Sequence, residues 1–97
     1  MVKKLERAFL ERTLARAMKL NDIKSRRALA RHLKVSHQTV QYWLRGSTTP
    51  ENGIMVKLAE LAQIDPGEAL LRMNRARAKS KKERKVWTAL IKASKDR

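Results

Sequence analysis

The chain has 97 residues, enough for one compact domain and too few for two, and it contains no cysteine, which excludes disulfides and thiolate metal sites. Its formal net charge of +15 is uneven: residues 1–71 carry 13 basic and 7 acidic side chains, a net of +6, and residues 72–97 carry 11 and 2, a net of +9. That balance calls for a polyanion (DNA, RNA or an acidic membrane), while the low aromatic content of 4% and the lack of alternating Val, Ile and Thr runs argue against a sheet.

Leu5, Phe9, Leu10, Leu14, Ala17 and Met18 recur at helical spacing, which predicts a first helix from about Lys4 to Leu20 with Arg12, Arg16 and Lys19 on a solvated face. Asn21-Asp22 ends it, and Ile23 is expected to turn inward. Ser25 is a good N-cap for a short second helix, Arg26 to Leu33, whose inner face is Leu29, Ala30 and Leu33. Ser36 can cap a third helix, on which Val40, Trp43 and Leu44 share a face, and Gly46 stops it. Ser47-Thr48-Thr49-Pro50 is a loop by composition.

A fourth helix from about Asn52 to Ala62 should bury Ile54, Leu58 and Leu61, with Met55 a candidate for the same face. Asp65-Pro66-Gly67-Glu68 reads as a capping box with Asp at its head, and opens a fifth helix carrying Leu70, Leu71 and Met73. Met18, Met55 and Met73 are expected to fill the core. A charged break over residues 78–82 precedes a last amphipathic helix that places Val86, Trp87, Leu90 and Ile91 together. The domain reading is therefore a helical unit over residues 1–78 and a basic helix or tail over 79–97.

Residues 26–45 carry the functional signal. Two short helices joined by a tight turn must approach closely, so a small residue is needed in the first, and Ala30 supplies it. Val35, Val40 and Trp43 supply apolar anchors in the turn and on the second helix. Outward on the second helix stand Gln38, Gln41, Tyr42 and Arg45, with His37 and Thr39 at its start. Most of these are uncharged hydrogen-bonding side chains within a strongly basic chain. Lysines grip phosphate, whereas Gln and Arg can read base edges.

The pattern of Ala30, Val35, Ser36, Val40 and Trp43 resembles the helix-turn-helix of the phage repressor and Cro class, the Xre family. The likeness continues through Trp43-Leu44-Arg45-Gly46, Pro50 and Leu58-Ala59-Glu60-Leu61-Ala62, and covers about residues 23–71. It implies an all-α fold, a lambda repressor-like bundle of about five helices, here with a basic C-terminal helix added. Family members usually have glycine in the turn, where this chain has Lys34. A lysine there must take a left-handed backbone, at about 1 kcal/mol, or the turn must differ.

Carried over, the resemblance puts His37, Gln38, Gln41 and Tyr42 in the major groove. It gives Arg26, Arg27, Thr39, Arg45, Ser47 and Thr48 to phosphates. It further implies a prokaryotic or phage-encoded regulator that binds double-stranded DNA as a homodimer and represses by occluding an operator. An antitoxin of the same fold, holding a protein partner on its C-terminal helix, is the alternative, with an RNA-binding protein behind it. RNA modules usually expose stacking aromatics, and only Tyr42 qualifies here.

No paired carboxylates, nucleophile constellation or phosphate-cradling glycine loop occurs, so no enzyme and no cofactor is expected. His32 lacks a partner at ligand spacing, and no metal is expected either. No apolar stretch approaches a bilayer span, and the start has no uninterrupted apolar centre of a signal peptide, so no membrane association but a cytoplasmic location is expected.

Overall fold

A computed structural model describes residues 4–95, and side chains from Glu6 onward. Among them six helices follow one another: α1 (Lys4–Leu20), α2 (Arg26–Leu33), α3 (His37–Arg45), α4 (Asn52–Ala62), α5 (Pro66–Arg77) and α6 (Lys81–Lys95). Leu5, expected on the inner face of α1, has its side chain outside the described residues. Helices α1 to α5 enclose one core, and α6 packs along α5. No helix of the described residues is long and apolar enough to cross a membrane.

The helix starts obey their local signals. Ser25 Oγ accepts from the Ala28 N–H at 3.1 Å and Ser36 Oγ from the Thr39 N–H at 3.0 Å, each relieving one unpaired amide of a first turn. Asp65 accepts from Gly67 and Glu68 ahead of α5, with Pro66 at the first helical position. The expected capping box is only half made. Glu68 does not reach back to Asp65, because Arg72 at 3.3 Å and Lys95 at 3.4 Å hold its carboxylate.

Four helices end alike. Asp22, Lys34, Gly46 and Gln63 close α1, α2, α3 and α4 in the left-handed conformation. In each case the next residue's N–H reaches back five positions: Ile23 to Met18 at 2.9 Å, and Val35 to Ala30, Ser47 to Tyr42 and Ile64 to Ala59 at 3.0 Å. Only one of the four is glycine. At Gly46 a Cβ would stand 2.5 Å from Arg7 Cδ, so both its φ of 79° and its crowding favour glycine.

Lys34, with φ 59° and ψ 40°, keeps the turn geometry that the missing glycine would have supplied. Its side chain is exposed, so the strain there is backbone strain alone. Lys34→Gly should therefore stabilise the fold by about 0.5–1 kcal/mol, read as a higher urea midpoint at unchanged slope. A midpoint equal to or below that of the parent chain would contradict the strain.

The core bears out Leu58 and Met55 on α4 and shifts the balance among their neighbours. Met55, Leu58, Ala59 and Ala62 are the buried residues of α4, while Ile54 and Leu61 are half-buried. Two apolar stripes run side by side on this helix. The one containing Ala59 and Ala62 is fully buried, and small side chains suit a helix that packs extensively on α1. On α5, Ala69 and Met73 are buried, and Leu70 and Leu71 only half so. Phe9 and Met18 likewise sit at the core margin, whereas Leu10, Leu14, Ala17, Met55 and Met73 fill it.

Arg16, exposed with Arg12 and Lys19 on the expected face, is also tied to a neighbouring helix end. Its Nε donates to the Ala62 carbonyl at 2.6 Å, and Asn21 Nδ2 donates to Leu61 at 2.6 Å and to Ala17 at 2.7 Å. The end of α1 thus satisfies the free carbonyls at the end of α4, with a cation at the negative pole of that helix. The apolar face of α6 is split as well. Ile91 is buried and Trp87 half-buried, but Val86 is 56% and Leu90 45% exposed.

Candidate nucleic-acid interface

Helix α3 hangs from the core by two side chains. Val40 and Trp43 are 0% and 2% exposed, and they fix which face of this short helix turns outward. Ala30, at 2%, lets α2 cross close beside it. The outward face carries Gln38, Tyr42 and Arg45 exposed, with His37, Thr39 and Gln41 half-buried at its flanks.

These side chains are already ordered in pairs one helical turn apart. Gln38 Nε2 donates to Tyr42 Oη at 2.9 Å, and Gln41 Nε2 lies 3.1 Å from His37 Nε2. The first bond uses one amide hydrogen of Gln38. Its carbonyl and second N–H remain available, the combination that pairs with the N6 and N7 edge of adenine. With Gln41 donating, His37 carries its proton on Nδ1, which is buried without a partner among the described residues. Thr39 is engaged with its own cap, its Oγ1 2.8 Å from Ser36 Oγ.

The proposed phosphate contacts fall at both ends of the motif. Arg26 and Arg27 stand exposed in the first turn of α2. Arg26 also borders an apolar groove of about 350 Å³ between α1, α2 and α3, floored by Leu14, Leu29, Val40 and Leu44. Arg45, Ser47 and Thr48 are exposed around the end of α3. The fold thus brings the base-reading candidates onto one helix face, with hydroxyls and guanidinium groups beyond it.

Arg77 is a residue that sequence reasoning missed. From the end of α5 its guanidinium donates to Thr49 Oγ1 and to Asn52 Oδ1, both at 2.9 Å, and to the Pro50 carbonyl. It shapes the loop that contains Ser47 and Thr48. No signal near Arg77 marks this, because its partners lie 25 to 28 positions earlier in the chain. Among the described residues no group of three or more His, Cys, Asp and Glu side chains could hold a metal ion.

No curated protein and no solved structure matches the chain. The sequence model of the bacteriophage CI repressor helix-turn-helix domain matches residues 12–65, from the middle of α1 to the cap of α5, more than half of the whole. The match spans Ser25, Ala30, Ser36, Val40, Trp43 and Gly46, the residues that build and orient α3. The chain accordingly belongs to the bacteriophage CI repressor helix-turn-helix family and is a DNA-binding regulator of the repressor type.

Proposed function

We propose that the protein represses transcription by occluding an operator as a homodimer, with α3 in the major groove. In this reading Gln38 and Gln41 read base edges, Tyr42 and His37 contact bases beside them, and Arg26, Arg27, Thr39, Arg45, Ser47 and Thr48 position the phosphates. The observation that carries it is the outward face of α3, where polar readers are pre-ordered by the Gln38–Tyr42 and His37–Gln41 bonds. Ordering before binding lowers the entropic cost of fixing a rotamer at the base edge.

Two protomers are needed for a palindromic site, and their recognition helices should stand about 34 Å apart, one turn of the duplex. Exposed Val86 and Leu90, one turn apart on α6, offer apolar surface for that pairing. An antitoxin would place a different protein on the same surface. Light scattering of the isolated chain separates the two, a dimer favouring repression and a monomer favouring a heterologous partner.

The decisive experiment is selection of bound sequences from random double-stranded DNA at about 150 mM salt, where non-specific attraction is weakened. A palindrome with half-sites one helical turn apart is expected. Gln38→Ala should relax the preference at one base position per half-site, by about 1–3 kcal/mol. Recovery of no motif would overturn operator recognition, and an unchanged motif with Gln38→Ala would remove Gln38 from the reading set.

A further inference from the structure

The junction between α5 and α6 lies beside the loop that follows the recognition helix. Arg77 clamps the two together through Thr49, Asn52 and the Pro50 carbonyl. Between them is a cleft of about 390 Å³, with Ser47, Thr48 and Thr49 on one wall and Arg77, Ala78 and Lys79 on the other. Lys79 and Lys81 are exposed, and no carboxylate lies within ion-pair distance of either, or of Arg77, among the described residues. Lys79 lines the cleft, and Lys81, the first residue of α6, stands two positions beyond it, outside the lining.

Uncompensated cations facing hydroxyl groups suit a phosphate oxygen, which needs both charge and short donors. Ser47 follows Arg45 by two residues, so a strand bordering the groove that holds α3 would pass this cleft. We propose that the α5–α6 junction is a second phosphate grip, in which Lys79 and Lys81 act with Ser47 and Thr48 on the backbone of the same duplex. The footprint then extends past the helix-turn-helix, and the basic C-terminal segment takes part in binding at its near end only. The inference rests on the assignment of α3 to the duplex.

At the far end of α6 the charge has a different setting. Lys95 pairs with Glu68 at 3.4 Å, and it stands about 20 Å from Lys81 along the helix axis. Two double variants of equal charge loss therefore separate local grip from bulk attraction: Lys79→Ala with Lys81→Ala, and Lys92→Ala with Lys95→Ala. Affinity is followed against salt on the duplex recovered by selection and on a scrambled copy of the same length.

The near-end pair should lower the slope of log K against log salt by about 1.8 per protomer, and weaken both duplexes alike. The far-end pair should leave the slope within about 0.5 of the parent chain. Equal changes for the two pairs would reduce the effect to net charge and overturn the proposal, as would no change for the near-end pair. If the parent chain itself fails to prefer the selected duplex over the scrambled one, the reading of α3 fails instead. That outcome is distinct, because the slopes on the scrambled duplex still report the junction. Helical circular dichroism of each variant confirms that the fold is retained.

Discussion

Glu6→Ala should cost the fold about 3–5 kcal/mol, as much as truncating a large apolar residue of this core. Among the described residues Glu6 is the one buried acid, with its side chain 3% exposed, and Arg75, at 11%, faces it. The Arg75 Nε and second terminal nitrogen both lie 2.6 Å from Glu6 Oε1. The first terminal nitrogen donates to Thr88 Oγ1 at 3.3 Å. One guanidinium therefore joins the start of α1, the end of α5 and the middle of α6. Removing the carboxylate leaves a buried cation without its counter-charge, and that penalty rather than the lost attraction sets the size of the effect.

For a domain of this length each kcal/mol shifts the melting midpoint by about 4–8 °C, so a fall of roughly 15 °C or more is expected. Replacing both partners, Glu6→Leu with Arg75→Met, should recover much of that loss because no charge stays buried. A Glu6→Ala chain that melts within a few degrees of the parent, or a double variant less stable than the single, would show that the pair is solvated rather than buried.

The Glu6–Arg75 pair also marks what a single sequence can disclose. Ser25, Ser36 and Gly46 were readable because a cap and the amides or carbonyls it serves lie within five positions of one another. Ala30, Val40 and Trp43 were readable because a helix-turn-helix imposes fixed spacing on its crossing point and anchors. Glu6 and Arg75 stand 69 positions apart, and Arg77 and Thr49 stand 28 apart, so no local periodicity links them. In sequence each is one more charge in a chain where charged residues are 34% of the total.

The exact depth of the apolar residues on α4 and α5 was less legible, for a different reason. Ile54 and Leu61 on α4 and Leu70 on α5 lie at the core margin while Ala59, Ala62 and Ala69 are fully buried, because periodicity scores leucines above alanines although close helix approach favours the smaller side chains. The Gln38–Tyr42 and His37–Gln41 bonds were implicit in the i,i+4 spacing. That spacing alone does not say whether such side chains bond to each other or point apart.

The dependence of DNA affinity on salt should be the other large effect, and its size reports how many protomers and which cations are engaged. Each phosphate neutralised by Lys or Arg contributes about 0.9 to the slope of log K against log salt. If Arg26, Arg27 and Arg45 are the cationic contacts of one protomer, a monomer should lose roughly 40-fold in affinity between 50 and 200 mM salt. A dimer with six such contacts should lose about 10³-fold, and one that also engages Lys79 and Lys81 about 10⁵-fold. These values are far enough apart for one titration series to choose among them. Thr39, Ser47 and Thr48 can hold phosphates without adding to the slope, since a neutral donor releases no counterion. A response of less than about tenfold would mean that phosphate neutralisation contributes little and that +15 of charge serves another purpose. A response near 10⁵-fold that falls toward 10³-fold in the Lys79→Ala and Lys81→Ala chain would place the junction of α5 and α6 on the duplex beside the recognition helix.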